Sequence, residues 1–179
     1  MRRSIVAVTV IAILRVAGAG AAVPPDLLPL AFLVGEWQAS GSGQPGASTG
    51  TFAFKWSLQD RVMVRCSFAE YPANGATSAS RHDDLMIIYA SASGIRADYF
   101  DNEGHVIRYS VRSAAANQVL FTSDAVDGEP RFRIRYQLTP DGGLDGEFEI
   151  APPDAPETFK QYLAWHSRKT SAAKKGKEF

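Results

Sequence analysis

Residues 131–136 read Arg-Phe-Arg-Ile-Arg-Tyr, a strict alternation of charged and apolar side chains. Successive side chains of a β-strand point to opposite faces, so the three arginines face water and the other three side chains face a core. The same period of two recurs at 51–56, where Phe52, Phe54 and Trp56 share one face. The pattern predicts a chain built mainly from antiparallel β-strands.

Further strands are predicted wherever this alternation returns, with turn residues between them. A short helix is expected at 26–33, with Asp26 as its N-cap. The next strand begins at Glu36. The remaining predicted strands are 61–68, 85–89, 95–101, 105–112, 119–123, 144–150 and 158–165.

About ten strands in consecutive hairpins can bury one face as a sandwich or as a closed barrel. The even spacing favours an all-β, antiparallel up-and-down barrel, whose interior holds a ligand unless side chains fill it. Six aromatic side chains are expected to line or fill that interior: Phe52, Phe54, Trp56, Phe132, Tyr136 and Phe148.

Composition narrows the function classes. The chain has 179 residues, which suits one globular domain, and nineteen Lys plus Arg balance nineteen Asp plus Glu. The chain has no excess of basic residues, so its charge does not indicate nucleic acid as a partner. The sequence contains a single cysteine, Cys66, so the chain cannot form an internal disulfide or a multi-thiolate zinc site. We expect Cys66 to be a small buried hydrophobic residue.

The N-terminus has the pattern of a secretory signal. Arg2 and Arg3 precede an apolar stretch at 5–14, and small residues follow at 17–22. The apolar stretch is too short to span a membrane, which needs about 20 residues. We therefore expect cleavage near Ala21 or Ala22, a secreted or periplasmic barrel domain at 23–168, and a flexible basic tail at 169–179.

The stretch Phe32-Leu33-Val34-Gly35-Glu36-Trp37 resembles the N-terminal signature of the calycin superfamily, the lipocalins and their relatives. The segments 81–86, 99–107 and 148–153 are similar to a bacterial secreted lipocalin-like family of unassigned function, and the likeness spans about residues 30–168. This resemblance implies a barrel that holds a small hydrophobic molecule, with Trp37 packed across its closed end.

The chain is also distantly similar to nitrobindins, barrels that hold haem through a histidine on the last strand. His166 is the corresponding residue here. Alternation with Leu163 and Trp165 as the apolar face places His166 outside, whereas an inward Tyr162 would turn His166 toward the interior. Haem remains an alternative, and no cofactor or metal is otherwise predicted.

One predicted hairpin carries polar residues on its inward face. If Arg96 and Arg108 face water, then Tyr99, Asp101, His105 and Tyr109 face the interior. The loop Asn102-Glu103-Gly104 fits a three-residue hairpin that sets Asp101 opposite His105. An imidazole oriented by a carboxylate can act as a general base.

The same residues have structural explanations. An aspartate at the head of a turn commonly accepts backbone hydrogen bonds, and a histidine at a barrel rim pairs with it. His82 and Asp84 share a strand face and suggest a metal only if Asp101 or His105 joins them. Asp84 is otherwise expected to form an ion pair with Arg65 across strands.

These observations predict a barrel that binds a small, largely hydrophobic ligand. Two alternatives stay open: an enzyme that uses Asp101 and His105 as an acid–base dyad for isomerisation or cyclisation, and a filled barrel that serves as a structural module. The predicted ligand-binding residues are Trp37, Phe54, Trp56, Tyr99, Tyr109, Phe132, Tyr136 and Phe148.

Overall fold

The computed structural model describes residues 22–43, 46–75 and 77–170. A 3-10 helix spans Pro25–Leu33 and ten β-strands follow it. The strands are β1 Gly35–Gly43, β2 Ser48–Ser57, β3 Val62–Tyr71, β4 Ser80–Ser91, β5 Gly94–Asp101, β6 Val106–Ala115, β7 Gln118–Ser123, β8 Arg131–Leu138, β9 Leu144–Ala151 and β10 Lys160–Lys169. The predicted secretory signal and the basic tail fall almost entirely outside the described residues.

The strands form a closed antiparallel barrel. Each strand pairs with its neighbours in the chain, and β1 pairs with β10 to complete the circle. Closure leaves no unpaired edge, so all ten strands share one interior. The predicted all-β barrel is confirmed. Within the described ranges, no helix is long and apolar enough to cross a bilayer.

Several details differ from the sequence prediction. β4 begins at Ser80, not at residue 85, because inward polar residues conceal the alternation there. β10 continues to Lys169, and the backbone N–H of Thr170 donates to the Glu36 carbonyl at 2.9 Å, so the last strand ends later than predicted. The helix is of the 3-10 type, and Asp26 lies in its first turn instead of capping it.

The helix seals one end of the barrel, which we call the helix end. Leu27, Leu30 and Leu33 are fully buried, and the helix packs against β4 and β5. Trp37 is 1% exposed, and its indole N–H donates to the Leu33 carbonyl at 2.9 Å. Trp37 therefore joins β1 to the helix at this closed end.

Aromatic side chains fill the middle of the barrel. Tyr136 is fully buried, and its ring lies 5.5 to 6.1 Å from the rings of four others, Phe52, Phe54, Phe121 and Trp165. Most of these contacts are edge to face, the arrangement that aromatic quadrupoles favour. The middle of the interior is thus a packed core.

Gly146 makes room for one of these rings. It lies opposite Trp165 in the register of β9 and β10. A Cβ atom on Gly146 would come within 2.1 Å of the Trp165 indole, so only glycine allows the ring to lie flat across β9.

The two halves of the outer surface differ. On one half, arginines of β8 face outward as predicted and pair with β9 carboxylates, as Arg133 does with Glu149 at 2.6 Å. On the other half, an apolar row crosses β2 to β6: Ala53, Cys66, Leu85, Phe100 and Val106.

The expectation that Cys66 is buried is wrong, because β3 turns the neighbouring Arg65 inward and Cys66 is exposed.

Leu30→Ala should lower the free energy of unfolding by about 2–5 kcal/mol, because it leaves a cavity between the helix and the barrel. Leu28→Ala is the matched control: Leu28 is 53% exposed, and its change should stay within about 0.5 kcal/mol. Urea unfolding of both variants measures the difference. Equal losses would show that the helix does not seal the barrel.

Candidate functional site

The end of the barrel opposite the helix is the candidate site, and we call it the mouth. The connections β1–β2, β3–β4, β5–β6, β7–β8 and β9–β10 surround it. Interior side chains near the helix, such as Met63 and Ile88, are fully buried. Towards the mouth, Arg65 is 8% exposed and Tyr99 is 9% exposed, so solvent reaches this part of the interior.

An ion pair lies inside the barrel below the mouth. Arg65 on β3 bonds through Nη1 to the carboxylate of Asp84 on β4, and their side chains are 9% and 6% exposed. The predicted cross-strand pair is therefore present. Burial lowers the pKa of Arg65, but Asp84 and neighbouring tyrosines raise it more, so the guanidinium stays charged. Burial raises the pKa of Asp84, and Arg65 opposes that shift.

Two polar atoms beside this ion pair are buried and unpaired. The Nε of Arg65 and the hydroxyl of Tyr136 have no hydrogen-bond partner among the described residues. Burial raises the pKa of Tyr136 to about 12, so its hydroxyl is a neutral donor at physiological pH. The interior therefore holds an unpaired N–H of the Arg65 guanidinium and, close to it, the Tyr136 hydroxyl.

A hydrogen-bonded chain connects the interior to the rim of the mouth. His82 Nε2 lies 2.8 Å from the Tyr99 hydroxyl, and His82 Nδ1 lies 3.2 Å from the Glu103 carboxylate. The Tyr99 hydroxyl also lies 3.3 Å from Asp101 Oδ2. Burial raises the pKa of Tyr99, so its hydroxyl stays protonated and serves this chain as a donor.

The β5–β6 hairpin has the predicted geometry. Gly104 adopts φ +92°, which closes the three-residue loop and sets Asp101 opposite His105. Asp101 Oδ1 accepts the backbone N–H groups of Glu103 and His105 at 3.0 and 2.9 Å, and Oδ2 lies 2.8 Å from His105 Nδ1. Burial raises the pKa of Asp101, but these hydrogen bonds outweigh it and the net pKa is lowered.

The structure places His105 at the rim instead of in the interior. Its side chain is 60% exposed, and Asp101 is its close partner. The catalytic role of Asp101 and His105 stays a prediction. The histidine that faces the interior is His82, which the sequence suggested only as a weak metal ligand. The sequence signal for His82 was its position two residues before Asp84, which places both side chains on the same face of the strand.

The predicted ligand-binding residues separate into three groups. Four of them lie in the packed interior with 0–1% exposure: Trp37, Phe54, Tyr109 and Tyr136. Trp56 lies partly buried toward the helix end of β2. Three border the mouth: Tyr99, and the partly buried pair Phe132 and Phe148, whose rings stack at 5.8 Å.

A depression of about 540 Å³ lies at the mouth beside the polar chain. It is bordered by the first residues of β2, the end of β3 and the start of β4, including Ser48, Tyr71 and Ser80. Burial raises the pKa of Tyr71, and the charges of Glu103 and Asp84 add to the shift. Tyr71 therefore stands between the depression and the polar interior.

His166 lies on the outer face of β10. Its Nδ1 is 2.6 Å from Asp145, and its side chain is 43% exposed. It borders a second depression of about 420 Å³ across the outer faces of β1, β10, β9 and β8. The haem alternative requires His166 inside the barrel, and the structure does not place it there. Among the described residues, no three His, Cys, Asp or Glu side chains are arranged to hold a metal ion.

Comparisons with known proteins do not assign the chain to a family. No protein-family model matches it, and no curated protein matches it. Among solved structures, that of EF1p2_mFAP2b bound to DFHBI superposes with a TM-score of 0.36 and 11% sequence identity, covering 79% of this chain and 97% of that one. At this TM-score the likeness supports no inference about fold or function.

Asp101→Asn keeps an acceptor oxygen but removes the charge, and should lower the free energy of unfolding by about 1 kcal/mol at neutral pH. Because the pKa of Asp101 is lower in the folded chain, its stabilisation is present above the unfolded value of 3.8 and is lost as pH falls through the folded value. Urea unfolding at neutral and acid pH should show the difference between wild type and variant vanish in acid.

Asp127→Asn is the control for that prediction, since Asp127 is exposed in the β7–β8 turn. It should leave stability unchanged at both pH values. A deficit of Asp101→Asn that persists in acid would show that its effect is not electrostatic.

Proposed function

We propose that this protein binds a small, largely apolar molecule within the mouth of its barrel. The observation that carries the proposal is the chemistry of the interior along its length. At the helix end three buried leucines of the helix close the barrel, whereas toward the mouth the inward-facing Arg65 and Tyr99 keep 8% and 9% exposure and carry polar groups. The mouth therefore combines access for solvent with hydrogen-bonding groups that face inward.

The surroundings of this space suit such a ligand. Phe132, Phe148 and Ile107 are partly buried apolar side chains that pack at the edge of the core. A depression of about 540 Å³ lies on the β2–β4 side of the rim, lined in part by the inward-facing Ser48, Tyr71 and Ser80, and its volume is within the usual range of about 300–1,000 Å³ for small-molecule sites. The polar groups lie together on β3, β4 and β5, as expected where they fix the orientation of a bound molecule.

The packed middle of the barrel sets the depth of the site. The contacts of Tyr136 with Phe54 and Phe121 close the interior below the ion pair. A ligand therefore occupies the mouth half and rests above these rings. The proposal thus assigns binding to fewer aromatic residues than the sequence pattern suggested.

N-phenyl-1-naphthylamine, a neutral probe that fluoresces in apolar surroundings, tests this function. Ile107→Trp places a large ring inside the mouth and should weaken binding at least about tenfold. Val106→Trp is the matched control, because Val106 is the adjacent β-branched residue on the outer face and is 64% exposed. Fluorescence titration measures both affinities, with urea unfolding as a check that each variant folds.

Two results would contradict the proposal. In the first, the wild-type protein does not enhance the fluorescence of the probe. In the second, both variants bind the probe as tightly as wild type, which would place it outside the barrel.

A further inference from the structure

Burial of the charged Arg65 side chain costs free energy, and the barrel fold by itself does not require a charge at this position. A buried ion pair is often less stabilising than apolar side chains of similar volume, because both charges lose their hydration. Other arginines of this barrel, such as Arg133 and Arg135, pair with carboxylates on the outer face. Arg65 instead lies inside, among Phe52 and the tyrosines, which points to a role for its charge in the interior.

The hydrogen-bonding capacity of Arg65 is only partly used. A guanidinium carries five N–H donors, and here Nη1 bonds to Asp84 whereas Nε has no partner in the described chain. The Tyr136 hydroxyl lies close to this guanidinium, whose charge opposes the rise in the Tyr136 pKa that burial causes. The Arg65 side chain as a whole keeps 9% exposure, although its Nε atom is buried.

Building on the binding function proposed above, we infer that the ligand is an organic anion whose carboxylate or sulfonate group replaces Asp84 on Arg65. A guanidinium binds such a group through two parallel N–H bonds, a geometry that a neutral ligand does not match. The apolar part of the ligand then extends toward Phe132 and Phe148 at the mouth.

The exchange of Asp84 for the ligand's anionic group also changes the number of protons that the protein binds. Arg65 and Asp84 together are neutral, so a second anion would leave one uncompensated negative charge in a region of low dielectric. The displaced Asp84 therefore takes up one proton from solvent as the ligand binds. Binding that takes up a proton becomes tighter as pH falls.

The surroundings of Asp84 agree with this role. Burial already raises the pKa of Asp84 while Arg65 is beside it, and loss of that cation raises it further. His82 Nε2 lies 4.0 Å from the Asp84 carboxylate. The ionisable groups that interact with Asp84 are these: Arg65 and Tyr71 on β3, His82 on β4, Asp101 and Tyr99 on β5, Tyr109 on β6 and Tyr136 on β8.

Two probes with the same aromatic framework test the inference. 8-Anilinonaphthalene-1-sulfonate differs from N-phenyl-1-naphthylamine by one sulfonate, which stays ionised throughout the working pH range. We expect the wild-type protein to bind the sulfonate at least about tenfold more tightly than the neutral probe. Calorimetry in buffers of different ionisation enthalpy should show uptake of about one proton with the sulfonate and none with the neutral probe.

Single substitutions test whether Arg65 and Asp84 cause the preference for the sulfonate probe. Arg65→Met should abolish the preference for the sulfonate and keep binding of the neutral probe, whereas Arg135→Met, on the outer face, should change neither. Asp84→Asn should bind the sulfonate more tightly than wild type and without proton uptake, because its amide does not neutralise Arg65. This second variant keeps the inference testable if Arg65→Met does not fold.

The outcomes separate the two proposals. If the neutral probe does not bind, the binding function itself fails. If the neutral probe binds but the sulfonate has no advantage, or keeps its advantage in Arg65→Met, only the anion inference is overturned. Tighter sulfonate binding with no proton uptake by the wild-type protein would overturn the exchange with Asp84.

Discussion

The pairing of β1 with β10 is the constraint on which the rest of this structure depends. It runs from Trp37 opposite Lys169 to Gly43 opposite Leu163, and the Thr170 N–H extends it by bonding to Glu36. Once the first and last strands are joined, every backbone ladder has a partner and no edge remains for another chain to extend. Closure also turns one face of each strand toward a common interior, so successive side chains lie alternately in the core and on the surface.

That interior has two parts with different physical roles. At the helix end, Leu30 and its neighbours are fully buried, and burial of each such side chain contributes about 1.5–3 kcal/mol relative to exposure in water. At the mouth, polar groups replace apolar ones and solvent enters. The stability supplied by the packed end allows the mouth to keep groups that weaken the core, as is common where a protein binds a ligand.

The polar groups of the mouth form one connected system. Arg65 bonds to Asp84, His82 lies beside both Asp84 and Tyr99, and Tyr99 reaches Asp101 at the hairpin. In a region of low dielectric these contacts strengthen one another, and each unpaired donor is costly. The part of this system that keeps some exposure, at Arg65 and Tyr99, lies toward the mouth, which is why we propose the binding function for this end of the barrel.

The sequence by itself determined the class of fold and the features that arise over short distances. Alternation over 131–136 and 51–56 predicted the strands, and the loop at 102–104 predicted the contact between Asp101 and His105, because a three-residue hairpin fixes its two flanking residues. The same local reasoning suggested an ion pair between Asp84 and Arg65 as the alternative to a metal site, since β3 and β4 are neighbours in the chain.

Only the tertiary structure decided which face of β3 is inside. The apolar residues Val62, Val64 and Cys66 suggest a core face, yet the register with β2 and β4 turns Met63 and Arg65 inward. Tertiary packing likewise filled the barrel around Tyr136 and left His105 at the rim. These outcomes depend on contacts between strands far apart in the chain, and the period of two specifies that faces alternate without specifying which face a closed barrel encloses.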